Sequence, residues 1–234
     1  MSFFEVLFDE VGGAPVPEYG GDPRWSGLAV NFVESVDGVV SLSGAVGESG
    51  AVVSGGSRED HFLMGLLRSC ADAVLIGAGT LRAARRDLWF ADSVFPEAAE
   101  LYARVGRLRP TLYVVSASGS VDAAHPALRD GVLLTGRLTP QEIVQRLRDD
   151  GHQCILCEGG PRLFAELAAA GLVDELFLTL SPRLFGRFAG DGRKALSDGR
   201  DLGGKPLQLR SLRRAGSHLF LRYACGADFR KKQR

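Results

Sequence analysis

At 234 residues the chain has room for one or two domains. Its 28 basic and 28 acidic side chains cancel, which argues against a main partner that is nucleic acid or an anionic membrane. Apolar residues at 45% and charged residues at 24% are ordinary for a globular protein, and no apolar run approaches the ~20 residues that span a bilayer. Acidic residues come early, unlike a secretion signal, so the expected location is the cytoplasm.

Residues 1–26 are rich in Gly, Pro and acid, with one apolar piece, Phe3-Phe-Glu-Val-Leu-Phe8. They read as an arm that packs on the body or on a second subunit. Leu28 to Val33 is the first expected strand, Ser35-Val-Asp-Gly38 a turn, and Val39 to Leu42 an extended continuation. Ser43 to Ser57 reads as a loop. A helix is expected from Arg58 to Ser69, capped by Ser57, with Phe62, Leu63, Leu66 and Leu67 at helical spacing. Arg68 falls in its last turn, where the helix dipole favours a cation.

Asp72 to Gly77 reads as a buried strand, with a short helix from Gly79. The pair Arg85-Arg86 beside Trp89 could meet a phosphate, but a charge run more often faces water. A helix over Glu97–Arg107 and strands over 111–115 and 131–134 follow. Thr139-Pro-Gln-Glu142 opens a helix to Asp149 with a threonine cap and proline in the first turn. A strand over 153–157, a turn at Glu158-Gly-Gly-Pro161 and a helix over 161–170 come next, and Gly171 ends that helix. Asp174 to Leu180 is a strand, a Pro/Gly-rich loop runs through Gly204, and 207–213 with 218–224 form an antiparallel pair. Phe229 to Arg234 is a basic tail, expected to be disordered. Strands alternating with helices at this spacing predict a layered α/β fold, mostly parallel, in one domain.

Two stretches share one design: Ala73-Val-Leu-Ile-Gly-Ala-Gly-Thr80 and Cys154-Ile-Leu-Cys-Glu-Gly-Gly-Pro161. Each is a strand, a glycine turn and a helix start. Glycines let a backbone approach a ligand, and free N–H groups at a helix start attract phosphates. Two such junctions suit a dinucleotide. Gly77-Ala-Gly-Thr-Leu-Arg lacks the third glycine of the Rossmann fingerprint, there is no P-loop, and histidines 61, 125, 152 and 218 make no metal-ligand pair. Cys154 and Cys157 have C-x-x-C spacing but lie inside an apolar strand without a second ligand pair, so they read as core residues, not a redox or zinc site. A phosphate-bearing redox cofactor is what remains.

Asn31-Phe-Val-Glu-Ser-Val-Asp-Gly38, Leu67-Arg-Ser-Cys-Ala-Asp-Ala-Val-Leu-Ile-Gly-Ala-Gly-Thr80, Glu158-Gly-Gly-Pro-Arg-Leu163, Gly171-Leu-Val-Asp-Glu-Leu176 and Ser181-Pro-Arg-Leu-Phe-Gly186 stand in a family order. Over about residues 28–224 the chain resembles the reductase domain of the bacterial riboflavin-biosynthesis deaminase-reductase, a pyrimidine reductase with a dihydrofolate-reductase-like fold. The resemblance implies NADPH-dependent hydride transfer to the ribosyl C1′ of 5-amino-6-(5-phosphoribosylamino)uracil, in a homodimer. It implies that Gly77, Ala78, Gly79 and Thr80 line the cofactor. Gly159, Gly160, Pro161, Arg162, Leu163 and Phe164 would hold its phosphates, with Ser116 a further contact. Arg68 would meet the substrate phosphate, and Ser35 and Glu158 would touch substrate; Asp37 and Glu158 are the candidates for catalytic work. No metal is implied.

The stretch 81–91 departs from the family pattern, with Ala91 where an arginine that contacts substrate is usual, and the zinc deaminase pattern is absent from this sequence. Two alternatives therefore stand beside the lead. One is a reductase of another heteroaromatic substrate, such as dihydrofolate or a related pterin; the other is a non-catalytic NADP-binding protein.

Overall fold

The structure is a computed structural model that describes residues 2–42, 49–186 and 190–225. The basic tail at 229–234 and part of the expected loop at 43–57 lie outside the described residues. In chain order, β1 is Glu5–Asp9, β2 Gly27–Ser35, α1 Ser49–Ser54, α2 Arg58–Cys70, β3 Ala73–Gly77 and α3 Ala78–Ala83. Then come α4 at Ala91–Val94, α5 at Ala99–Val105, β4 at Thr111–Ser116, β5 at Val132–Thr135 and α6 at Pro140–Asp149. β6 is Cys154–Cys157, α7 Pro161–Ala169, β7 Glu175–Ser181, β8 Gln208–Ala215 and β9 His218–Ala224.

One nine-stranded sheet holds the strands, in the order β1-β8-β9-β7-β2-β6-β3-β4-β5. From β7 to β5 every neighbouring pair is parallel, and β1, β8 and β9 join antiparallel at one edge. The expected mostly parallel α/β fold is the one present. The central strands are short apolar runs because both faces are covered: Ala73, Val74, Leu75 and Ile76 are completely buried. Val74 and Ile76 face a core with Phe62, Leu66 and Leu67 of α2, while Leu75 and Ile155 face the opposite core with Leu147 of α6 and Leu167 of α7.

Local signals explain the helices. Ser57 Oγ accepts from Asp60 N–H at 3.2 Å and starts α2. At α6, Thr139 Oγ1 accepts from Glu142 N–H at 3.2 Å while the Glu142 carboxylate accepts from Thr139 N–H at 2.7 Å. Three expectations change. The segment read as a loop over 43–57 contains α1, whose Val53 is fully buried. The helix expected at 97–107 is a 3₁₀ turn at Pro96–Ala98 running into α5, and a Cβ on Gly106 would meet Ser69 O at 2.0 Å. Val39 to Leu42 adds no strand. Ser35 Oγ accepts from Val39 N–H at 3.0 Å and closes the turn, and Ser41 makes only an isolated bridge to Lys194.

The N-terminal arm packs on the body. Phe3 stacks on Phe62 with ring centres 4.4 Å apart, Phe4 packs edge-on against Phe220, and β1 pairs with β8. Two buried arginines of the C-terminal hairpin grip its carbonyl groups. Arg213 Nε donates to Tyr19 O at 2.9 Å, and Arg222 Nη1 donates to Asp22 O at 2.9 Å. Arg213 also lies 3.9 Å from the centre of the Tyr19 ring. The carboxyl ends of the parallel strands, at Ser35, Gly77, Ser116, Cys157 and Ser181, share one edge of the sheet. In open α/β sheets that edge is where ligands bind.

Candidate active site

The two glycine junctions meet at this edge. Leu75 of β3 is in register with Cys157 of β6, so the two turns leave the sheet side by side. Gly77 N–H donates to Gly159 O at 2.8 Å and joins them directly. Gly159 has φ +105°, a backbone that side chains disfavour, and the Gly159–Gly160 peptide is cis. A Cβ on Gly160 would lie 3.4 Å from Thr80 Oγ1, and one on Gly77 would lie 3.8 Å from Gly160 N. Glycine at these positions therefore puts no Cβ between the turns, where the Thr80 hydroxyl stands.

On the other flank Gly77 pairs with Val115, which sets Ser116 one residue beyond it at the end of β4. Ala78 opens α3 buried, Gly79 is exposed and Thr80 half-buried. Pro161 stands at the first position of α7, and the N–H groups of Arg162 and Leu163 fall in the first turn, where no helical acceptor exists. Phe164 differs from its neighbours. Its N–H donates to Gly160 O at 3.1 Å, and its ring packs edge-on against Phe32 in the core. Its side chain thus supports the turn from below, and only the residues before it present groups at the edge.

The expected substrate residues form two pairs. Ser35 Oγ donates to Asp37 Oδ1 at 2.5 Å, and Asp37 Oδ2 accepts from Phe185 N–H at 3.1 Å and Gly186 N–H at 2.6 Å. The Ser35 hydroxyl, helped by these two N–H groups, lowers the Asp37 pKa. Asp37 thus ties the first turn to the loop after β7.

Arg68 and Glu158 make the second pair. Arg68 Nη2 donates to Glu158 Oε2 at 2.8 Å and Nε to Oε1 at 3.0 Å, with the two side chains only 1% and 8% exposed. The rest of the guanidinium is also engaged: Nη1 and Nη2 reach Asp87 at 3.4 and 3.2 Å, and Nη1 reaches Phe90 O at 3.3 Å. Every N–H of an arginine is thereby used. Burial opposes the Arg68 charge, but Glu158 and Asp87 more than offset it and its pKa is raised. Burial likewise pushes the Glu158 carboxyl up, against the pull of Arg68. Arg68 is far more than a helix-end charge, and a phosphate could reach it only by displacing a carboxylate. Arg85 and Arg86 are exposed, as their surface reading expected.

Asp87 is the residue that sequence reasoning missed here. It accepts from Trp89 N–H at 2.9 Å, a local turn bond that an Asp two residues before a buried aromatic can signal. Among the described residues no group of His, Cys, Asp and Glu is arranged to hold a metal. Burial pushes the thiols of Cys70, Cys157 and Cys225 up to about 12 and also raises Cys154. The native protein should therefore react slowly with a thiol reagent at about pH 8, while all four cysteines react after unfolding. Fast reaction confined to Cys154 and Cys157 would restore a redox role.

A family model for the RibD C-terminal domain matches residues 27–221. Solved structures with the same fold include a pyrimidine reductase-like protein from Corynebacterium diphtheriae, 19% identical, with TM-score 0.61 over 85% of this chain and 91% of that one. RibD from Acinetobacter baumannii is 16% identical, with TM-score 0.66 over 84% of this chain and 57% of that one. The deaminase/5-amino-6-(5-phosphoribosylamino)uracil reductase from Thermotoga maritima is 16% identical, with TM-score 0.63 over 85% and 56%. The chain thus spans little more than half the length of these last two proteins. No curated protein matches it. By the extent of the family match, the chain belongs to the RibD C-terminal domain family, a reductase family of the riboflavin pathway.

Proposed function

We propose that the chain is an NADPH-dependent reductase acting on the ribosyl group of 5-amino-6-(5-phosphoribosylamino)uracil. The observation that carries this reading is the pair of glycine turns joined by the Gly77–Gly159 hydrogen bond at the carboxyl edge of the sheet. The Cβ-free gap between them and the first turn of α7 offer backbone N–H groups to a diphosphate, with Thr80 and Ser116 on the flank. NADPH, when bound, supplies a hydride from C4 of its nicotinamide. The chain's part is alignment: it holds the ribosyl C1′ against that carbon while the C1′–O bond opens and a proton ends on the released oxygen. Glu158, fixed by Arg68, is the carboxylate nearest the glycine turn and contacts the pyrimidine side.

Among the described residues no helix is long and apolar enough to cross a membrane. A cytoplasmic homodimer belongs to the same reading. Its support is a row of apolar side chains, Phe8, Leu212, Leu221 and Leu178, in register across four strands and not fully buried.

A second reading has its own support. Arg68 is consumed inside the protein, and Ala91 stands where the family has a substrate arginine. Both favour a substrate without a phosphate, such as dihydrofolate or another pterin. Steady-state NADPH oxidation against a panel of the ribosylaminopyrimidine phosphate and dihydropterins tests both. Turnover with the first is the expected result. Turnover only with pterins selects the second reading, and none with any, while NADPH still binds, leaves a non-catalytic NADP-binding protein.

A further inference from the structure

The connection after β4 carries one histidine that the site described above does not use. His125 is only 7% exposed, and both ring nitrogens have partners. Nδ1 accepts from Ala127 N–H at 3.2 Å and so caps a 3₁₀ turn at Pro126–Leu128. Nε2 lies 3.1 Å from Ala84 O, 41 positions back in the chain. A carbonyl only accepts and an amide N–H only donates, so the ring is neutral with its proton on Nε2. Capping alone does not call for a histidine, since a serine or aspartate does it with less bulk. The second bond is what the imidazole adds.

Ala84 to Phe90 link α3 to α4 without helix or strand of their own. Ala84 O, where His125 donates, also accepts from Asp87 N–H at 3.2 Å, and Ala84 N–H donates to Thr80 O at 3.1 Å. Trp89 is 2% exposed, has φ +55°, and its ring centre lies 6.2 Å from that of His125. A bulky residue keeps a left-handed backbone only where its surroundings fix it. Here the His125 ring and the Asp87 carboxylate flank it. The same segment supplies Asp87 and Phe90 O to Arg68, which grips Glu158. One line of contacts thus runs from His125 through Ala84 and Asp87 to Arg68 and Glu158. The held segment lies within 81–91, the stretch that departs from the family pattern.

We propose that His125 is a positioning residue for the substrate side of the site. Through Ala84 O and the Trp89 ring it fixes the 84–90 segment, and that segment keeps Asp87 on Arg68 and Arg68 on Glu158. Asp87 is the more exposed carboxylate of the cluster, 26% against 8% for Glu158, so its place depends on how its backbone is held. Without the Nε2 bond the turn that aims Asp87 loosens, and Glu158 is left with a cation free to turn away. The glycine turns keep their own hydrogen bond, from Gly77 to Gly159, so the cofactor side is unaffected. The inference rests on the reductase reading only for what Glu158 meets, and the link from His125 to Arg68 is testable without turnover.

The test compares His125→Asn with His125→Gln in the full chain. Asparagine keeps an acceptor near the place of Nδ1 but is too short for Ala84 O, whereas glutamine keeps a donor near the place of Nε2 and gives up the cap. Amide hydrogen exchange, read by mass spectrometry, should speed up about tenfold or more over 84–90 in His125→Asn and stay near wild type in His125→Gln. A residue that only caps its own turn predicts the reverse order, with the change confined to 126–131. A double-mutant cycle on urea midpoints is the second measurement. Asp87→Asn should lower the midpoint of the wild type clearly and that of His125→Asn much less. With the panel member that the wild type reduces, His125→Asn should raise the heterocycle KM about tenfold and leave the NADPH KM unchanged, and His125→Gln should recover most of the loss. Unchanged exchange over 84–90 in His125→Asn, additive midpoints, or an unchanged heterocycle KM would overturn the proposal. No turnover by the wild type sinks the proposed function instead, while exchange and midpoints still decide the role of His125.

Discussion

Replacing Arg68 with alanine should cost about 3–5 kcal/mol of stability, because it leaves the buried Glu158 carboxylate and the partly buried Asp87 without their cation. The effect is large because the alternatives to pairing are poor: Glu158 is 8% exposed, and water cannot take over what the guanidinium supplied. Arg68→Lys keeps the charge but not the planar fork that reaches two carboxylates and Phe90 O, so it should recover only part of the loss. Adding Glu158→Gln to Arg68→Ala should also recover part of it, since the stranded charge is removed. Urea midpoints of the four proteins check this. An unchanged midpoint for Arg68→Ala would mean that the guanidinium is held for a ligand and contributes nothing internally.

The second large effect concerns the cofactor. Gly160→Val should weaken NADPH binding about tenfold or more while the chain stays folded. The new Cβ would stand 3.4 Å from Thr80 Oγ1, and the branches beyond it would fill the gap between the two turns. Gly12→Val is the control, since a Cβ there meets nothing within 4 Å and Gly12 lies in the arm, far from Gly160 in sequence. NADPH titration with both variants settles it. Equal affinities would mean that the turn does not face the cofactor.

What could be read from the sequence was whatever is encoded locally. The Ser57 and Thr139 caps, the apolar spacing of α2 and the Pro161 helix start are written within a few neighbouring residues, and each element lies within a residue or two of its expected place. The glycine junctions were legible for the same reason, although the hydrogen bond that joins Gly77 to Gly159 was not. Partnerships across long separations left no local trace. Arg68 and Glu158 are 90 positions apart and Arg68 and Asp87 19, so an arginine that suits a helix end turned out to be the centre of a buried ion cluster. α1 was hidden because its short apolar turn sits in a stretch rich in Gly and Ser, and packing against the sheet outweighs weak helix propensity.

The proposed function requires a hydride to leave NADPH for a heterocyclic substrate on this chain. The most direct measurement is to supply NADPH carrying deuterium at the transferable C4 position and analyse the product by mass spectrometry. One deuterium per product molecule is expected, at the reduced carbon, with loss of that label transfer in Gly160→Val at limiting cofactor. A product that forms without the label, or no product from any member of the pyrimidine and pterin panel while NADPH remains bound, would contradict it.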